Sequence, residues 1–316
     1  MKSPLISISI PAYKTVFLGE TIESCLCQTY PNFEIVIVDD ASPEDIRGVV
    51  ANYHDSRIRY YRNARNCGAI DVVDNWNICL SYCRGEYVIC MGDDDCLKPC
   101  CLEEYVRLIN IYPNLNVYHA WTELIDEQGK IIKQVSRHPE FQGCMSMIWQ
   151  NWNGDAQYIG DFCFKTEYLR SVGGFYKQPL AWASDHITTA MAAAVGGIAN
   201  AQKITFQYRE NTSSISSGRY NNIKIEAKLL ERVWFEQFLK TVKPMEDRTE
   251  QTCYKLLKDN FEDYFQKEVL LYIKKYFHES LLHIFPVLWK HRHYGIRQTS
   301  IVMMYLKVIK YEMRHS

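Results

Sequence analysis

The stretch FEIVIV at residues 33–38 constrains this chain more than any other six residues. It is nearly all β-branched and shows no alternation of polar and apolar positions. A strand with one wet face alternates; a strand covered on both faces does not, and such strands belong to parallel sheets flanked by helices. The neighbouring residues repeat the theme. Residues 5–10 and 58–61 read as strands, and so does EYVICM at 86–91. Between them lie helical stretches: 17–28, with Leu18, Ile22, Cys25 and Leu26 at helical spacing; 43–53, with Ser42 placed as N-cap and Pro43 in the first position; 72–83; and 99–112. Strand and helix alternating at this pace predict βαβ units and an α/β fold.

In such sheets ligands bind beyond the carboxyl ends of the strands, so the residues that follow each strand matter. The first strand is followed by Pro11-Ala12-Tyr13, the second by Asp39-Asp40, and the fourth by Asp93-Asp94-Asp95. Three strand ends therefore present polar, mostly acidic groups to one crevice. From 116 to 208 the pattern is mixed, with strands expected near 117–123, 158–164 and 198–206 and helices near 144–152, 166–172 and 185–195. Beyond 221 it is helical almost throughout, over 229–242, 254–277, 281–289 and 298–313. The reading divides the chain into a catalytic domain over 1–220 and a helical extension over 221–316.

A formal net charge of -1 gives no general case for nucleic-acid binding. The charge is uneven: residues 281–316 hold six Lys/Arg against one Asp/Glu, while residues 1–220 hold 19 against 25. A basic tail behind an acidic body suggests an anionic contact at one end. WKHRHYGIR at 289–297 mixes aromatic and basic side chains and could lie on an anionic membrane surface; a packed annex or a dimer face explains it as well. Eleven of the twelve cysteines fall at or before Cys163, with no zinc spacing. The opening residues read straight into a strand, without the apolar core of a signal peptide. Together these features predict a cytoplasmic protein with reduced thiols, in contact, if the basic helices serve that purpose, with the inner face of the membrane. No apolar run reaches the roughly 18 to 20 residues that span a bilayer.

The acidic run MGDDDCLKP, residues 91–99, carries the strongest chemical signal. Adjacent carboxylates raise one another's pKa unless a cation sits among them. Oxygen ligands of this kind suit Mn2+ or Mg2+, and a solvated acidic loop is the plain alternative. Asp39 at the end of FEIVIV could accept the imide N–H of uracil or ribose hydroxyls, or else belong to a turn that starts the next helix. Tyr13 could stack on a base or simply pack.

Taken together, SISIPAY, QTYPNFEIVIVDDAS and GEYVICMGDDDCLKP, in this order, resemble the family 2 glycosyltransferases of the GT-A fold, over about residues 3–215. The resemblance implies a Rossmann-like, mostly parallel sheet with helices on both faces. It implies an inverting, metal-dependent hexosyltransferase that takes a nucleotide diphosphate sugar, most simply a UDP-sugar, to a saccharide or lipid-linked saccharide in cell-surface polysaccharide synthesis. Pro11, Ala12 and Tyr13 would line the nucleobase pocket, with Asp39 on the base and Asp40 beside it. Asp94 would be the main ligand of Mn2+ or Mg2+, joined by Asp95, with Asp93 next to the donor. Gly92 stands where many members have the first Asp of their triplet.

Asn66-Cys67-Gly68 resembles the family's Asn-x-Gly turn, which would place Asn66 and Gly68 at the donor, and DNWN at 74–77 resembles a variant segment. RSVGGF at 170–175, then Ser184-Asp185, is similar to the family's Gly-Gly-Phe segment and acidic pair, so Asp185 would be the general base; a helix cap is the alternative. Tyr208-Arg209, before the loop 211–214, matches a segment that closes over the diphosphate, which would set Arg209 on a phosphate. Trp149, Trp152 and Trp182 are candidate sugar platforms or core. The opening strand lacks the G-x-G-x-x-G of a nicotinamide enzyme. The chain also lacks the Gln-x-x-Arg-Trp motif and spanning helices of processive synthases. A non-catalytic sugar- or nucleotide-binding scaffold on the same fold remains the rival reading.

Overall fold

A computed structural model describes residues 2–134, 137–212, 214 and 217–315. Ten strands form one sheet: β1 (Ile6–Ala12), β2 (Phe33–Asp39), β3 (Ile58–Arg62), β4 (Tyr87–Cys90), β5 (Cys96–Leu97), β6 (Val117–Ile125), β7 (Ile131–Gln134), β8 (Phe141–Gln142), β9 (Phe162–Lys165) and β10 (Ile198–Arg209). The path is β3-β2-β1-β4-β9-β6-β10-β5, with β7 on β6 and β8 on β10. The first four strands are mutually parallel; β9 runs antiparallel to both β4 and β6, and β6 and β10 are again parallel. All seven residues of β2 are buried, as its unbroken apolar run requires.

The helices of the first half are α1 (Leu18–Leu26), α2 (Ile46–Ala51), α3 (Val72–Tyr82) and α4 (Cys101–Ile111). Then come α5 (Cys144–Trp152), α6 (Thr166–Ser171) and α7 (Ser184–Ala193). The tail folds into α8 (Asn221–Thr241), α9 (Arg248–Asp259), α10 (Phe261–Glu279), α11 (Ile284–Trp289) and α12 (Gln298–His315). One apolar layer joins the sheet to α1, α2 and α4, through Ile8, Ile22, Ile46 and Leu102 among others. On the opposite face Val36, Trp76, Phe162 and Ile187 share a layer with Phe235, Leu257 and Phe265 of α8, α9 and α10. The extension therefore completes the core of the strand-bearing first part of the chain. A separate cluster, centred on Ile273, Val287, Ile301 and Val308, holds the last helices together.

Two expectations are corrected. Ser42 does not cap a helix at Pro43: α2 begins at Ile46, and Asp45 caps it by accepting the Gly48 N–H at 2.9 Å. The expected helix over 254–277 is two helices that meet at Asn260. All twelve cysteines are unpaired; eight are buried and Cys27 is the exposed one.

Candidate active site

A cavity of about 970 Å³ opens at the carboxyl ends of β1, β2 and β4. Its wall includes Pro11, Tyr13, Asp40, Asn66, Gly68, Asp93, Asp94 and Asp185, which five separated sequence segments supply. This is where parallel strand order reverses, β1 lying between β2 and β4, and a crevice there follows from the topology.

The three aspartates of the acidic run do three different jobs. Asp93 Oδ2 accepts the backbone N–H groups of Tyr13 and Lys14, both at 2.7 Å, and so ties the acidic turn to the end of β1. Burial and the neighbouring Asp94 push its carboxyl up to about 6. Asp95 points inward and accepts the Arg209 N–H at 3.0 Å; burial, then Asp94, hold it well above the usual carboxylate range. Asp94 lines the cavity and accepts a 2.5 Å hydrogen bond from Asn211 Nδ2. Burial raises its pKa against the opposing pull of Asn211 and Lys14. Asp95 also borders the cavity, with one carboxylate oxygen committed to the Arg209 backbone.

Among the described residues no three His, Cys, Asp or Glu side chains gather into a metal cage. A single carboxylate that supplements substrate phosphates and water is the donor set Mg2+ accepts, and three crowded, buried carboxyls favour a nearby cation. The residues present fit a metal held jointly by Asp94 and a bound diphosphate.

Asp39 is fully buried and committed. It accepts the Ser42 N–H at 2.8 Å, the Tyr60 hydroxyl at 2.7 Å and an ion pair from Arg62. It lies outside the cavity wall, as does the fully buried Ala12, so neither meets a base in this conformation. Arg62, which sequence reasoning passed over, covers Asp39 with a half-exposed side chain. Asp40 does face the cavity; it accepts Asn63 Nδ2 at 2.8 Å and the Cys67 N–H at 3.0 Å, which shapes the Asn66-Cys67-Gly68 turn. Gly68 sits at φ +81°, a conformation glycine adopts freely.

Arg209 is corrected most sharply. Only 2% exposed, it pairs with Glu20 at 2.6 Å. It also donates to the carbonyls of Asp94, Asp126 and Glu127 at 2.8, 3.2 and 3.4 Å, and lies over the Phe17 ring. It holds the acidic turn from behind and offers no free face to a phosphate. Asn211, two residues on, is the member of this segment that reaches Asp94; Ser213 lies outside the described residues.

Asp185 occupies the first turn of α7 and lines the cavity. The approach to it is strained, since Leu180, Ala181 and Ala183 all have φ between +53° and +67°. Non-glycine residues rarely adopt this region, and such clusters occur where a surrounding structure enforces them at functional sites. The next residue, His186, bonds Glu231 of α8 through Nδ1 at 3.4 Å. Burial lowers its pKa, but Asp185 and Glu231 reverse that and leave it raised. The DNWN segment acts at a distance: Asn77 accepts the Phe175 N–H at 2.8 Å and donates to the Phe175 carbonyl at 3.2 Å, which clamps the Gly-Gly-Phe segment.

Comparison with known proteins follows this geometry. The family model described as Glycosyl transferase family 2 matches residues 7–164. This chain belongs to glycosyltransferase family 2. An uncharacterized glycosyltransferase of Rickettsia typhi, RT0329, is 32% identical over 129 residues, which is 40% of this chain and 39% of the relative. One from Haemophilus influenzae is 33% identical over 133 residues, 41% of this chain and 44% of the relative. The chain thus spans under half the length of these family 2 relatives. In fold it is similar to S. aureus TarS 1-349 in complex with UDP-GlcNAc, with a TM-score of 0.66 at 16% identity, covering 98% of this chain and 92% of that one. It is also similar to the mannosyltransferase PcManGT of Pyrobaculum calidifontis in complex with GDP-Man and Mn2+, with a TM-score of 0.53 at 16% identity, covering 98% and 86%. These likenesses establish the GT-A fold, including the C-terminal helices.

Proposed function

We propose that this chain is an inverting, metal-dependent glycosyltransferase that carries a sugar from a UDP-sugar to a hydroxyl of a saccharide or lipid-linked saccharide. One observation carries the reading: Asp94, just after β4, and Asp185, in the first turn of α7, line the same cavity. Tyr13, Asp40, Asn66 and Gly68 form the end that takes the nucleotide. Asp94, positioned by Asn211 and by the Arg209 contact to its own carbonyl, would hold Mn2+ or Mg2+ against the diphosphate. When bound, the metal supplies Lewis-acid neutralisation of the leaving group. Asp185 takes the proton of the acceptor hydroxyl, a weak nucleophile until a carboxylate within hydrogen-bond reach removes it. That hydroxyl forms the new bond on the face of the anomeric carbon opposite the departing UDP, so an α-linked donor gives a β-linked product. The PcManGT complex with Mn2+ supports the metal, and the TarS complex makes UDP-GlcNAc the first donor to try.

The test is UDP or GDP release from a panel of nucleotide sugars, with Mn2+ and with chelator. Release from one donor that chelator abolishes supports the enzyme. Failure to bind any nucleotide in Mn2+ refutes it and leaves the scaffold reading.

The last helices fit a membrane-surface partner. Leu282, Phe285 and Trp289 lie on one side of this segment and are 71, 69 and 84% exposed, with Lys290, Arg292 and Arg297 just beyond. Apolar side chains flanked by cations match an anionic leaflet, into which aromatic groups insert at the headgroup level. No helix among the described residues is long and apolar enough to cross a membrane. Sedimentation with phosphatidylglycerol vesicles, lost in Trp289→Glu, supports surface binding. Equal binding to neutral phosphatidylcholine vesicles, or a stable dimer with no vesicle binding, overturns it.

A further inference from the structure

The active-site cavity has a second compartment whose walls come largely from the helical extension. Beyond Asp185 it is lined by Trp152, Trp182, Lys228, Tyr264, Glu268 and Tyr272, and the last four belong to α8 and α10. We infer that this compartment is the acceptor subsite, that it takes an uncharged sugar ring, and that Trp182 and Glu268 determine its specificity. The inference rests on the glycosyltransferase reading and deepens it.

Position favours an acceptor at this end. The nucleotide end of the cavity lies at the carboxyl ends of β1 and β2, and Asp94 and Asp185 follow. Trp182 stands three residues before Asp185, and Glu231 of α8 bonds the residue after it. A hydroxyl that delivers its proton to Asp185 from the side away from the donor therefore comes from the extension side.

Charge also favours a neutral ligand. Among the described residues the cations that line this compartment are Lys228 and His186, and both are matched; Lys224 lies over the Trp182 ring at 4.5 Å and donates to the Gly218 carbonyl at 3.0 Å. Lys228 Nζ lies 2.8 Å from Glu231 and 3.2 Å from Glu268, and His186 lies against Glu231 and Asp185. Three carboxylates balance two cations, so a phosphate or sugar acid would enter without a free partner, at a desolvation cost. A neutral ring meets no such penalty, and Glu268, about a quarter exposed, can accept its hydroxyls.

The wall chemistry suits a sugar ring. Trp182, Tyr264 and Tyr272 give broad apolar walls, with Tyr272 edge-on to Trp182 at 5.5 Å. Mostly aromatic walls with a few placed polar groups are what a neutral, amphipathic ligand needs. Trp152 backs this wall from the core, stacked on the Tyr264 ring at 4.3 Å.

The experiment uses the full chain. Chito-, cello- and malto-oligosaccharides, and glucose 1-phosphate as the charged probe, are titrated by intrinsic fluorescence with and without UDP and Mn2+. The same titrations are run on Trp182→Phe, Trp182→Ala and Glu268→Gln. A neutral oligosaccharide should bind the wild type, about tenfold more weakly in Trp182→Ala and Glu268→Gln, with Trp182→Phe intermediate and UDP affinity unchanged in all three. Unchanged oligosaccharide binding in both Trp182→Ala and Glu268→Gln overturns the assignment. So does preference for the sugar phosphate, or no neutral saccharide binding to wild type. Because binding is scored with and without UDP, failure of the wild type to bind UDP refutes the donor reading separately.

Discussion

Glu250 lies on α9, in the extension, yet its carboxylate closes the amino end of a helix in the catalytic half. Its oxygens accept the N–H groups of Met145 at 2.9 Å and Ser146 at 2.8 Å, at the start of α5. Gly143 makes room for it, since a Cβ there would stand 2.1 Å from the Glu250 carboxyl carbon. Glu250 is 1% exposed, so Glu250→Ala leaves two helix N–H groups buried and unpaired. Each lost bond to a charged acceptor is worth about 1.5–3 kcal/mol, and the helix dipole adds up to ~1. Water entering the vacated space recovers part, and the expected loss is about 3 kcal/mol. In a chain of 316 residues each kcal/mol moves Tm by about 1.5 °C, so the fall should be about 4–5 °C in calorimetry. Glu250→Gln keeps one acceptor oxygen and should lose about half as much. A fall below about 1 °C in the alanine variant would show that Glu250 does not hold the start of α5. So would a wild-type melt in two separated transitions, because the argument requires extension and catalytic half to unfold together.

Other variants probe the site and its supports. Asp185→Ala should lower UDP release with acceptor by about 10²–10⁴-fold without changing UDP affinity. Asp94→Ala should remove the stimulation of release by Mn2+. Gly174→Ala places a Cβ 2.2 Å from the Asn77 amide oxygen at a φ of +99°, and should cost about 2 kcal/mol in urea unfolding. Burial works against the charge on Glu34, but hydrogen bonds from Ser7, the Arg84 N–H and Arg59 more than reverse it and lower its pKa from 4.5. The unfolded chain therefore takes up the proton first as pH falls. The stability Glu34 contributes is full above about 4.5 and fades as pH drops through the folded value. The gap in Tm between wild type and Glu34→Gln should be wide at pH 7 and narrow toward pH 3; a constant gap would contradict this.

The first half of the fold was legible because each signal is local. FEIVIV shows its double burial in six letters, and the acidic run follows its strand at once. What stayed hidden depends on partners far along the chain. Asp93, Asp94 and Asp95 are identical letters at one cavity, and only the fold shows that the outer two accept backbone N–H groups while the middle one meets the Asn211 side chain. Arg209 looks like any surface arginine until Glu20, 189 positions away, is found beside it. The role of the tail in the active site had no local mark. Lys228 and Glu231 one helical turn apart read as an ordinary surface pair, and their burial against Glu268 and His186 appears only once α8, α10 and α7 are packed.

The cysteine pattern has a practical consequence. A thiol reacts as thiolate, and burial raises the pKa of the interior thiols; even Cys67, on the edge of the site, is pushed up to about 12 by burial and by Asp40. Cys27, at the end of α1, is the one left open to solvent. A maleimide dye should therefore mark Cys27 of the native protein first, ahead of the partly exposed Cys67, Cys96 and Cys100. That position is on the helix whose first turn grips Arg209 through Glu20, so the dye's emission becomes an optical readout of how firmly the acidic turn is held when nucleotide arrives.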